Sequence, residues 1–113
     1  MSRATFKVSL SPAEALEMIR VHHTSIGTEL IHEEMYDLGD GKTIGTLVFQ
    51  KYYFRAGNKA ALVVISDNFK GFTEVRSVAT GSSQSLLFNF DWGAAGDFAN
   101  STRQVLKDYL VEE

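Results

Sequence analysis

The groups in this chain able to do chemistry are three histidines, a cluster of serines and a set of carboxylates, and their spacing decides what each could do. His22 and His23 are adjacent. On a helix they diverge by about 100°, whereas a metal-binding pair needs a spacing of three or four so that both imidazoles share a face. Near a helix C-terminus a histidine instead suits a capping role, because the partial negative charge there favours its protonated form. His32, between Ile31 and Glu33, reads as a surface strand residue. No metal site is expected. The serines crowd into Gly81-Ser82-Ser83-Gln84-Ser85. The nucleophile elbow Gly-x-Ser-x-Gly would need glycine where Ser85 stands and a helix where a strand follows. A P-loop would need Gly-Lys-Ser or Gly-Lys-Thr. No catalytic residue is assigned. Two readings stay open for the segment: a turn whose hydroxyls bond the local backbone, or an anion nest built from the Gly81, Ser82 and Ser83 amides with Gln84 as an added donor. Trp92 completes that ligand-binding set, since Phe88, Phe90 and Trp92 alternate onto one face and either join the core or wall a pocket. Glu29, Glu33, Glu34 and Asp37 cluster along one strand, where Glu33 and Glu34 point to opposite faces, and fit a solvated edge better than an acid/base pair.

The elements that must position these groups follow from periodicity. Ala4, Phe6, Val8 and Leu10 alternate with Thr5, Lys7 and Ser9, which predicts a half-buried strand. Ser11-Pro12-Ala13-Glu14 has the form of a capping box with proline at the first helical position, so a helix starts at Pro12 and ends near Thr24. Its inward stripe is Ala15, Leu16, Ile19 and one of His22 or His23, with Glu14, Glu17 and Arg20 facing water. Strands are expected from Thr28 to Leu38, Thr43 to Arg55, Ala60 to Ser66 and Phe72 to Thr80, joined by glycine-bearing turns into an antiparallel meander. A short strand from Leu86 to Phe90 and a helix capped by Asp97 or Asp91 follow. The helix carries Phe98, Thr102, Val105, Leu106, Tyr109 and Leu110 towards the C-terminus. The fold class is α+β: a two-layer sandwich of a mainly antiparallel sheet of five to six strands with two helices on one face, in the order β-α-β-β-β-β-β-α. On the longest strand Ile44, Val48, Tyr52 and Phe54 face one way, and Leu47, Phe49 and Tyr53 the other. Helices cover one face only, so the second apolar face needs another cover or lies open.

Composition sets the remaining bounds. A chain of 113 residues, 44% hydrophobic and 22% charged, makes one domain over 1–113 with a core of its own. Eleven basic against fourteen acidic residues give a net charge of −3, which offers no footprint for a phosphate backbone, so no nucleic-acid partner is expected. With no cysteine there is no disulfide, thiolate metal site or cysteine nucleophile. The N-terminal residues lack an apolar signal core, and no apolar run reaches the ~18 residues of a membrane span; a cytoplasmic location is expected. Asn100-Ser101-Thr102 matches a glycosylation acceptor but sits inside a predicted helix, and reads as a chance match.

The Gly81-Ser82-Ser83-Gln84 turn, the aromatic strand Leu86 to Phe90, the Asp91-Trp92-Gly93 break and the closing amphipathic helix together resemble a family of small bacterial domains of unknown function. Ser82 departs from the second glycine of the Gly-Gly-Ser-Gln-like turn usual there. The resemblance carries no activity and implies no cofactor. The sequence is therefore read as a non-enzymatic domain that forms a homo-oligomer. The alternative is a protein binding a small molecule or anion near the Gly81–Gln84 turn and the C-terminal helix.

Overall fold

Residues 2–53, 58–81 and 98–111 are described by the computed structural model. The alternating N-terminal segment forms β1 (Ser2–Val8), and α1 (Pro12–Ser25) follows it. The capping box is closed: the Ser11 hydroxyl accepts from the Glu14 amide at 3.2 Å and Glu14 accepts from the Ser11 amide at 3.0 Å. Two amides that begin a helix without intrahelical partners are thereby satisfied. The meander then runs through β2 (Glu29–Gly39), β3 (Lys42–Tyr53), β4 (Asn58–Asp67) and β5 (Thr73–Gly81). The turn after β2 takes positive φ at Gly39, Asp40 and Gly41, conformations that glycine adopts freely and aspartate tolerates. Asn68, in the β4–β5 turn, ties the two turns together: its Oδ1 accepts from the Thr43 amide at 2.9 Å and its Nδ2 donates to the Gly41 carbonyl at 2.8 Å.

The sheet order among the described residues is β1-β5-β4-β3-β2, antiparallel throughout. Helix α1 carries the chain from one edge of the sheet to the other, and the meander walks back until β5 pairs with β1. The predicted strand from Leu86 to Phe90 lies outside the described residues, as do both proposed caps of the second helix.

That second helix, α2, is described over residues 98–105. Both helices cover the same sheet face. Leu16 and Ile19 of α1, Phe98, Ala99 and Leu106 of the C-terminal segment, and Leu47, Phe49, Leu62, Val64, Val75 and Ala79 of the sheet form one core. Ser77 and Thr102, both fully buried, bond each other across it at 2.7 Å. At Gly45, Leu16 of α1 and Met35 of β2 approach so closely that a side-chain carbon would collide with both.

The periodicity that predicts a helix running on to Leu110 ends early. After residue 105 the chain tightens into a 3-10 turn, Lys107–Tyr109, and Leu110 bridges to Val8. The Ser9 amide donates to the Tyr109 carbonyl at 2.9 Å and the Val111 amide to the Lys7 carbonyl at 3.0 Å. An edge strand leaves backbone groups unpaired, and this return of the chain along β1 satisfies them, which a continued helix would not.

Candidate functional site

The face of the sheet away from the helices is built by alternation. With Leu47 and Phe49 turned into the core, Ile44, Thr46, Val48, Gln50 and Tyr52 of β3 must point the other way, and the register extends this to every strand. One row across the sheet reads His32, Val48, Val63, Val78, Arg3. The next reads Glu34, Thr46, Ile65, Arg76, Thr5. The three valines with Ile44 and Ile65 are half-buried by their own neighbours, and neither helix reaches them. This is the second apolar face expected from the sequence, and among the described residues no element covers it.

Most of its charges are sorted by edge, with Lys42 at the start of β3 and Lys59 near the start of β4 standing apart from both groups. Towards β1 and β5 stand Arg3, Lys7 and Arg76; Lys7 lies over the Phe72 ring, 4.2 Å from its centroid. Arg76 pairs with Asp67 at 2.7 Å, and Lys70 with Glu74 at 3.3 Å, so the carboxylates near that edge are already compensated. Strand β2 is exposed along almost its whole length and offers Glu29 and Glu34 on the same face. Glu29 accepts from Gln50 at 3.1 Å, and Glu34 lies 3.0 Å from the His32 ring. Glu33 points to the helix side and Glu34 to the open side, as a solvated edge requires.

A second feature lies between the helices. Met18, Val21 and Val105 floor an open groove of about 1290 Å³, with His22, Arg103 and Lys107 among its polar margins. Behind Ser101, which lines the groove, His23 is 1% exposed and held on both sides. Its Nδ1 stands 2.9 Å from the Ile19 carbonyl and its Nε2 2.7 Å from Ser101 Oγ. A carbonyl only accepts, so Nδ1 carries the hydrogen; in the neutral ring Nε2 is an acceptor, and it shares the single Ser101 hydroxyl hydrogen with the Phe98 carbonyl, 2.6 Å from the same oxygen. Burial pushes the His23 imidazole below its usual value; the Ile19 bond opposes this, and His22 and Lys51 add to it. Phe49 and Phe98 pack beside the ring with centroids 5.1 and 6.3 Å away.

The inward histidine of α1 is thus His23, and it belongs to the core rather than capping the helix end, while His22 is exposed. Ser101, which the sequence offers only as part of an acceptor triplet, is its partner. The signal that finds it is spacing: Leu16, Ile19 and His23 share one helical stripe, so a buried histidine there has to meet a polar group from the facing helix. Of the predicted ligand set, Gly81 ends β5, and Ser82, Ser83, Gln84 and Trp92 lie outside the described residues, together with Phe88 and Phe90. Among the described residues no group of three or more histidines or carboxylates could hold a metal ion, and no helix is long and apolar enough to cross a membrane.

Neither a curated protein nor a solved structure matches the chain. One family profile does, over residues 1–110, and it spans both helices and every described strand. The chain belongs to that family, a family of unknown function known as DUF6054.

Proposed function

We propose that this protein is a non-enzymatic domain that associates with itself through the open face of its sheet. The observation that carries the reading is the apolar row Val48, Val63 and Val78, flanked by Ile44 and Ile65, on a face that no described element covers. Size agrees with it. Strands ~4.8 Å apart and ~30 Å long give a five-stranded face of roughly 700 Å², close to the ~800 Å² per partner of a standard stable interface. Sheets pack face to face in this way when each supplies one apolar surface. Sedimentation equilibrium at micromolar concentration tests the reading: a dimer is expected, and a strict monomer overturns it. Val63→Lys places a charge at the centre of the face, and is expected to give a monomer with an unchanged circular dichroism spectrum.

The groove between α1 and α2 supports a second reading, binding of a small amphipathic anion, because its apolar floor is bordered by Arg103, Lys107 and His22, while Glu17, also on the lining, is paired with Arg20. The Gly81–Gln84 turn belongs to the same proposal. Trp92 is the single tryptophan and serves as reporter. A panel of carboxylated and phosphorylated metabolites that shifts neither its emission nor the melting temperature rules this reading out.

A further inference from the structure

We infer that two copies of this chain meet about a two-fold axis running parallel to their strands, so that the β1–β5 edge of each copy lies over the β2 edge of the other. The inference rests on the self-association reading and adds the geometry of the complex. Two sheets packed face to face can be related by a two-fold axis along the strands or across them. An axis across the strands lays each strand over its own copy. Arg3 and Lys7 then approach Arg3 and Lys7, and Glu29 and Glu34 approach Glu29 and Glu34. An axis along the strands exchanges the edges and keeps the rows.

The register makes that exchange specific. Arg3 ends the row His32, Val48, Val63, Val78, Arg3, and the rows on either side end at the β2 edge in Glu29 and Glu34. With the edges exchanged, Arg3 of one copy stands over His32 of the other, between Glu34 and Glu29. Packed sheets lie ~10 Å apart, within reach of an arginine and a glutamate extended towards each other. The valine row meets its own copy at the centre, where an isologous contact needs a self-complementary apolar patch. Asp67 and Glu74 also face this side, but Arg76 and Lys70 already answer them within one chain, so the unlike edges decide the arrangement.

The test is a charge exchange read by sedimentation equilibrium at low salt, with circular dichroism confirming that each variant folds. In the proposed arrangement Arg3→Glu sets glutamate against Glu34 at both symmetric contacts, and Glu34→Lys sets lysine against Arg3 at both. Each variant alone should dimerise on the order of tenfold more weakly than the wild type, the scale of two rim contacts turned from attraction to repulsion. Mixed in equal amounts, the two variants form a heterodimer with both contacts attractive again, at wild-type strength. The double variant R3E/E34K should likewise recover. Recovery in both experiments supports the inference. A wild-type dimer that the single variants leave unchanged, or weaken without recovery on mixing, overturns it and leaves self-association standing. A monomeric wild type removes the self-association reading itself. If one single variant fails to fold, the other decides together with R3E/E34K: it must weaken the dimer and the double variant must restore it. An axis across the strands along the valine row instead leaves like charge over like charge in Arg3→Glu and sets the new lysine of Glu34→Lys against Glu29, so that neither single variant weakens the dimer.

Discussion

Removing the hydroxyl of Ser101 should destabilise the fold far more than a serine at the margin of a groove ordinarily would. In the neutral protein the Nδ1 hydrogen of His23 is committed to the Ile19 carbonyl at 2.9 Å, and its Nε2 has one donor, the Ser101 hydroxyl at 2.7 Å. With the ring 1% exposed, Ser101→Ala leaves that acceptor without a partner. An unsatisfied buried acceptor costs ~1–3 kcal/mol. For a domain of this size each kcal/mol lowers the melting temperature by ~4 °C. Urea unfolding at pH 7.5, followed by circular dichroism, reads the loss directly. His23→Leu, of similar volume, removes the acceptor as well, and the Ser101 hydroxyl then gives its single hydrogen wholly to the Phe98 carbonyl, 2.6 Å away. A double-mutant cycle of the two should therefore show a coupling of ~1–2 kcal/mol, because Ser101→Ala costs little once His23 is gone. Ser101→Ala melts that overlay the wild type, or additive effects in the cycle, refute the reasoning.

The same pair makes stability depend on pH with a definite sign. Burial holds the folded His23 below its usual value, while the unfolded chain takes up this proton near pH 6.5. The unfolded state therefore binds more protons as pH falls through that value, so the contribution is constant above it, is lost below it with a slope no steeper than ~1.4 kcal/mol per pH unit, and levels off beneath the folded pKa. The free-energy difference between wild type and His23→Leu should accordingly shrink or change sign between pH 7.5 and 5.5, and a pH-independent difference contradicts the assignment. Asn68→Ala removes both bonds that join the β2–β3 and β4–β5 turns, and should cost ~1–2 kcal/mol in urea melts with little change in m-value. Ser11→Ala opens the capping box of α1, and should cost ~1 kcal/mol by the same measurement.

How much of this was legible in the sequence depends on the range over which each feature is decided. The helix start at Pro12 and the turn at Gly39-Asp40-Gly41 are settled within a few residues, by a hydroxyl beside a glutamate and by backbone that tolerates positive φ, and both stand where local chemistry puts them. The two faces of β3 are equally local, since Leu47 and Phe49 cannot enter the core without turning Ile44, Val48 and Tyr52 outward. The pairing of β1 with β5 is different. Phe6 meets Val75 because α1 spans the sheet and the meander returns, and no residue near Phe6 encodes that partner. The 3-10 turn at Lys107–Tyr109 is likewise decided by the unpaired edge of β1, against a helical stripe that locally continues.

The His23–Ser101 pair and the open face bring two long-range consequences of one topology into view. The meander deposits β5 beside β1 and the C-terminal helix lies on the face α1 already occupies, so Ser101 arrives against a stripe whose histidine would otherwise be buried with its Nε2 unpaired. Ser77 and Thr102 meet in the same way, a polar pair inside the core that fixes α2 over β5. Both helices are thereby committed to one side by hydrogen bonds that tolerate no slippage, whereas apolar packing alone would allow α2 some freedom to shift. The cost of that commitment is the other side. No remaining described element can cross the sheet to cover Val48, Val63 and Val78, so the sorted charges at their margins are the features that would select what does. Disturbing the interhelical clamp and disturbing the open face should therefore be separable: Ser101→Ala lowers stability and leaves the association constant of the folded protein unchanged, and Val63→Lys does the reverse. A Ser101→Ala variant that remains folded yet no longer associates would break this division, because it would place the partner surface on the helices.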